Sequence, residues 1–195
     1  MNKTQFKISR TYFIDNHFEK TPLIFKKGYV GQDFTWQELD SAIYASQSSP
    51  LGIKVFNNGP IEETQYCNKC IELGVAKKQL DRDQIYRELD AGATIIFDRI
   101  ESLSLRIREI CNEISQFIRE DVIANGYLSF GDKGSFGDHW DTHDVFAVQL
   151  LGRKRWLLYY PTFPLPVPGQ TSKNFKHCRP STPQLDLILE PGDIL

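Results

Sequence analysis

A chain of 195 residues is long enough for one sizeable core and a small appendage, and 41% hydrophobic with 12% aromatic residues excludes a disordered or fibrous protein. The formal net charge of −2 supplies no global basic field for nucleic acid or an anionic membrane, and no apolar run approaches a bilayer span. The start, MNKTQFKISR, leads into no signal-peptide apolar region, so a cytoplasmic protein with no nucleic-acid or membrane partner is expected.

In chain order, residues 1–20 carry an aromatic segment that stops before Thr21-Pro22, where proline breaks a helix. Residues 35–46, TWQELDSAIYAS, read as a helix with Thr35 as N-cap and Glu38 completing a capping box. GIKVFNNGP is a short strand running into an Asn-Gly turn signal. Cys67 and Cys70 then form a lone C-x-x-C in QYCNKCIELG. A structural zinc needs four ligands and no second pair follows at usable spacing, while GPIEETQYC is a poor strand to precede a redox motif. Two cysteines at a loop-to-helix junction are the plainer expectation. With Cys111 and Cys178 they are too few for a disulfide framework, and a reducing compartment suits them.

A polar helix is expected over 80–90, with Tyr86 and Leu89 on one side. GATIIFDRI at 92–100 reads as a buried strand. Leu103, Ile107, Ile110, Ile114 and Phe117 then fall at spacings of three and four, an amphipathic helix. From Val122 the texture changes to short apolar or alternating runs, VIANGYLSF, HDVFAVQLL, RKRWLLYYP and LDLILEPGDIL, parted by Gly- and Pro-bearing turns. This half reads as β-rich, a sandwich or barrel. Between the last two runs, PTFPLPVPGQTSKNFKHCRPSTPQ holds six prolines and reads as a long ordered loop.

The chemistry concentrates at GDHWDTHDVF. On a strand, His139, Asp141 and His143 would share a face, and an imidazole and a carboxylate two residues apart can reach one metal ion. With a third histidine from elsewhere, such a pair makes the facial triad of non-haem Fe(II) oxygenases. Gly152 would close a hairpin into a second strand, on which Lys154, Trp156 and Leu158 share one face and Arg153 and Arg155 the other. A lysine facing a barrel interior is costly to bury unless it meets an anion, and a dicarboxylate cosubstrate is such an anion. The plainer alternatives are a chance H-x-D and a solvated RKR run on an edge hairpin.

FIDNHFEKTPLIF, GATIIFDRIESLSLRI, ANGYLSFGDKGSFGDHWDTHDVFAVQLLGRKRW and LEPGDIL together resemble the bacterial cupin-type JmjC proteins, a group that includes ribosomal-protein hydroxylases. The resemblance implies a mainly β fold with N-terminal helices, a double-stranded β-helix of the cupin or jelly-roll type. Residues 1–120 would be an α/β region packing on it, and residues 121–195 the barrel core. It assigns His139 and Asp141 as Fe(II) ligands and Lys154 as the partner of the C5 carboxylate of 2-oxoglutarate. Asn125 and Tyr127 fall at polar positions lining the cosubstrate and substrate pocket, and His143 at the pocket edge. The implied reaction couples oxidative decarboxylation of 2-oxoglutarate to hydroxylation of a protein or peptide side chain, a ribosomal protein among the candidates. Homodimerisation is implied for the full-length protein.

The family's distal histidine lies a few residues beyond the strand that PGDIL resembles, and the sequence given ends at Leu195. A barrel incomplete at its C-terminus is therefore expected, as a fragment or a naturally short relative, with weak iron retention and little turnover. His177, in the proline-rich loop, is a poor substitute, and His17 belongs with the aromatic N-terminal segment. The alternative function is a non-catalytic cupin-like module that binds a peptide or holds a metal structurally.

Overall fold

The computed structural model describes residues 4–31, 33–46, 52–131, 134, 136–174 and 182–195. Among them, four α-helices and seven strands follow in the order α1 (Arg10–Asn16), α2 (Trp36–Ser46), β1 (Ile53–Phe56), β2 (Cys67–Glu72), β3 (Val75–Leu80), α3 (Arg82–Asp90), β4 (Thr94–Phe97), α4 (Leu105–Ile118), β5 (Gly126–Ser129), β6 (Lys154–Leu158) and β7 (Leu185–Leu189). The architecture is mixed, with helices and several small antiparallel sheets, where the family resemblance had implied a mainly β fold with N-terminal helices. Contacts divide it into two compact units with interleaved segments.

The unit made of Trp36–Asn112 and Asp121–Gly137 is built on a three-stranded sheet in the order β1-β4-β5. β4 is central because it is apolar on both faces: Ile95 and Phe97 are buried, as is Thr94. β1 contributes Ile53 and Val55 to the same core. α2 starts directly after Thr35, and its Glu38 is taken up by Arg106 Nε of α4 at 2.6 Å. α3 is capped by Asp81, whose carboxylate accepts from Gln84 N at 3.0 Å, and ends at Gly92 with φ +89°, the left-handed stop that glycine permits. α4 buries Ile107 and Ile110 of the stripe its spacing foretold, and Cys111 beside them.

β2 and β3 form a separate hairpin, closed by Leu73 and Gly74 with positive φ. The cysteine pair therefore sits on a strand, not at a loop-to-helix junction. Cys67 pairs with Leu80 and Cys70 with Lys77, so three residues of pleat send their side chains to opposite faces. That placement removes any joint redox or metal role for the pair. Burial raises the Cys67 thiol further above the thiolate range, with Glu63 adding to it.

The other unit comprises Met1–Thr35, Glu113–Glu120 and Asp138–Leu195. Here Phe6 stacks on Phe117 at 4.0 Å, and Phe13 packs on Phe117 and Phe146 at 5.2 and 6.0 Å. The final residues run between two partners: Ile194 bridges both Phe25 and Val148, Tyr29 N donates to Gly192 O, and Ala147 and Leu195 exchange backbone hydrogen bonds. β6 and β7 pair antiparallel, with Arg155 clamping Asp186 through two hydrogen bonds of 2.8 and 2.7 Å.

Two sequence expectations are corrected in this unit. No continuous strand spans 143–151, and Gly152 does not close a hairpin, because β6 takes β7 as its partner. The physical reason is register. Ala147 exchanges both hydrogen bonds with Leu195, but Gln149 donates to Asp193 O while accepting from Gly192 N, a one-residue slip that leaves only an isolated bridge at Val148.

The turn at Gly192 is sterically exclusive. Its φ is +92°, and a Cβ there would stand 3.0 Å from the carbonyl oxygen of Tyr29, whose own N–H is tied to Gly192 O. Gly192→Ala is expected to destabilise the protein by about 1–3 kcal/mol, measured as a lowered urea midpoint at unchanged slope. An unchanged midpoint would show that the turn relaxes freely.

Candidate metal and cosubstrate site

His139 and Asp141 lie in irregular backbone rather than on a strand, yet their side chains converge: His139 Nε2 is 3.8 Å from Asp141 Oδ2. Two ligands each about 2.1 Å from one ion can stand at most about 4 Å apart, so this pair fits a single divalent cation. An imidazole nitrogen and a carboxylate oxygen are the donor types a non-haem Fe(II) centre uses. Both side chains are about half exposed, at 47% and 50%, which leaves an entry path for the ion.

The residue between them anchors the pair. Trp140 stacks on Phe163 with ring centroids 5.1 Å apart and planes within 9°. No strand ladder surrounds His139 and Asp141, and this stack ties the turn that carries them to the start of the proline-rich loop. Sequence reasoning missed it, because nothing in the spacing links 140 to 163.

No third histidine, cysteine or acid joins the pair among the described residues. His143 is exposed, in a bend, and is not part of a three-donor group, so the shared strand face expected for 139, 141 and 143 does not form. His17 accepts or donates at 3.1 Å with Thr21 Oγ1 and packs beside Tyr12 and Phe13, as expected of an N-terminal structural side chain. His177 and Cys178 lie outside the described residues.

Lys154 opens β6 in the same compact unit as His139 and Asp141. The alternation holds there: Trp156 and Leu158 are half-buried while Arg155 and Leu157 are exposed. Lys154 counts as exposed over the whole residue, yet desolvation holds its ammonium below the ordinary lysine pKa. Nζ lies 5.2 Å over the centroid of the Trp156 ring, an apolar face that excludes water from one side.

Asn125 and Tyr127 belong to the other compact unit. Asn125 Oδ1 accepts from Arg99 N at 3.2 Å, and Tyr127, 54% exposed, meets Phe136 edge to face at 6.0 Å. Among the described residues no helix is long and apolar enough to cross a membrane.

The JmjC domain family matches residues 99–195, the stretch that holds His139, Asp141 and Lys154. The chain is 27% identical over 192 residues to the bifunctional lysine-specific demethylase and histidyl-hydroxylase NO66 of Drosophila persimilis, covering 94% of this chain and 26% of that protein. It is 32% identical over 135 residues to ribosomal oxygenase 2 of Rattus norvegicus, covering 66% and 28%. The chain thus spans about a quarter of the length of these curated relatives. The X-ray structure of E. coli YcfD superposes with a TM-score of 0.62 over 98% of this chain and 47% of that one, at 18% identity, a likeness of fold. The chain belongs to the JmjC domain family.

Proposed function

We propose that this chain carries the Fe(II)- and 2-oxoglutarate-binding part of a hydroxylase that acts on a protein or peptide side chain, with a double-stranded β-helix as its scaffold. The observation that carries this reading is the convergence of His139 and Asp141 to 3.8 Å inside the JmjC match. The names of the relatives, a histidyl-hydroxylase and a ribosomal oxygenase, support a protein substrate, with ribosomal proteins the class to try first.

The residues take distinct roles. His139 Nε2 and Asp141 Oδ2 would hold the iron, neutral imidazole and anionic carboxylate together meeting part of its charge. Bound iron, with 2-oxoglutarate and O₂, supplies the oxidising power for hydroxylating an unactivated C–H bond. Lys154 would hold the far carboxylate of the cosubstrate, an anion that offsets the desolvation of its ammonium. Asn125 and Tyr127 are proposed to line the cosubstrate and substrate pocket.

Anaerobic titration of Fe(II) and 2-oxoglutarate, following the visible charge-transfer band, tests this on the chain and on the protein from its full reading frame. Lys154→Ala is expected to leave divalent-metal affinity within about twofold while weakening 2-oxoglutarate by at least about tenfold, the loss of one charged hydrogen bond. No band in either protein would favour instead a cupin-like module that binds a peptide without catalysis.

A further inference from the structure

Alternation along β6 sets Lys154 and Trp156 on one face, two residues apart. The Lys154 ammonium lies over the Trp156 ring, 5.2 Å from its centroid. The same indole has a second feature that the ring contact does not use: its Nε1 is buried and finds no hydrogen-bond acceptor among the described residues. Buried donors without acceptors are rare in folded proteins because the lost hydration is not recovered. An indole nitrogen donates and never accepts, so an acceptor is what it lacks.

The two groups are chemically matched. A partly desolvated cation and a buried N–H donor, both on the Lys154–Trp156 face, offer two contacts to one anion with two oxygens. A neighbouring cation would repel a second cation and gives an uncharged ligand little, whereas a carboxylate accepts from both. We infer that Trp156 is a second anchor for the anionic cosubstrate: its Nε1–H donates to the carboxylate that Lys154 holds, and its ring face keeps the ammonium in place. This inference rests on the proposed 2-oxoglutarate reading and adds a residue to it. It also makes Trp156 a specificity residue. A 2-oxo acid without the distal carboxylate would leave the Trp156 N–H without an acceptor, so that donor selects for a dicarboxylate.

The test uses binding rather than turnover, on the protein from its full reading frame loaded with Mn(II). Calorimetric titrations with 2-oxoglutarate and with 2-oxobutyrate are compared for the unsubstituted protein and Trp156→Phe, which keeps an aromatic face and loses the N–H. The substitution is expected to weaken 2-oxoglutarate by about tenfold, the loss of one hydrogen bond to a charged group. Mn(II) and 2-oxobutyrate affinities should stay unchanged. Equal 2-oxoglutarate affinity in Trp156→Phe overturns the inference while leaving the cosubstrate reading standing, provided Lys154→Ala still weakens it. Failure of the unsubstituted protein to bind 2-oxoglutarate removes that reading and the inference with it. A second readout needs no stable variant: with ¹⁵N-labelled tryptophan, the indole N–H resonance of Trp156 should move downfield on adding 2-oxoglutarate. A resonance that stays in place as the site saturates overturns the inference equally.

Discussion

His139→Ala is expected to abolish the Fe(II)–2-oxoglutarate charge-transfer band and to lower divalent-metal affinity by at least about a hundredfold. Disturbing groups that merely orient a metal ligand already costs about 10–100-fold, and this substitution removes a ligand outright. What remains at the site is Asp141, a half-exposed carboxylate of the kind found all over a protein surface. The fold should not suffer. His139 is itself about half exposed, so its truncation belongs with surface substitutions worth under about 0.5 kcal/mol, a shift in melting temperature of no more than about 2 °C. His143→Ala serves as the matched control, since it removes an imidazole four residues on that joins no three-donor group. It should leave the band intact. Retention of the band in His139→Ala would sink the metal assignment, and its loss in His143→Ala would show that the ligand set reaches along the turn.

That contrast between 139 and 143 also marks where the sequence was legible. Helices announced themselves, because their signals are local: Tyr86 and Leu89 on one side of 80–90, Thr35 before 36–46, and the stripe of Ile107 and Ile110 all act within a few residues. β4 was equally plain, since a strand apolar on both faces has only a central place to go. Pairing was not legible. Alternation in HDVFAVQLL met the demand for a strand, but a strand exists only where another backbone supplies hydrogen bonds, and against 192–195 a one-residue slip leaves only an isolated bridge at Val148. The β2–β3 hairpin failed from the other side. Its β3 residues are nearly all exposed, so no apolar alternation pointed to it, and Leu73 stands where asparagine or glycine usually marks a tight turn. The approach of His139 to Asp141 survives the loss of the strand, because two side chains separated by one residue meet in a bend as well. Its support from Phe163, and the indole N–H of Trp156, depend on contacts and solvation that no spacing encodes.

The largest effect on stability is expected at Asp193, in the PGDIL segment that also reads as the approach to the family's distal ligand. The residue is almost wholly buried, 1% exposed, and its carboxylate accepts from Lys26 Nζ at 2.7 Å and from the backbone N–H groups of Lys27 and Glu190, each at 3.0 Å. Asp193→Ala leaves two backbone donors without their acceptor where water cannot easily reach, at about 1–3 kcal/mol each before relaxation. A net loss of about 3 kcal/mol is therefore expected. Lys26 matters less: its side chain is 59% exposed, so Lys26→Ala gives the ammonium's contact back to water and should cost about 1 kcal/mol or less. Acid sensitivity separates the two further. Burial pushes the Asp193 carboxyl up, but the hydrogen bonds from Lys26, Glu190 and Lys27, with the charge of Lys26, outweigh it and hold the group below the ordinary aspartate range. A carboxyl whose folded pKa is depressed contributes stability that is full above the unfolded value, about 3.9, and is lost as pH falls through the folded one. Urea unfolding at pH 7 and again near pH 3 should show the unsubstituted protein losing stability that Asp193→Ala no longer has to lose. If the gap between the two proteins is the same at both pH values, the carboxylate's charge is not what ties residues 26–27 to 190–193, and packing alone closes that corner.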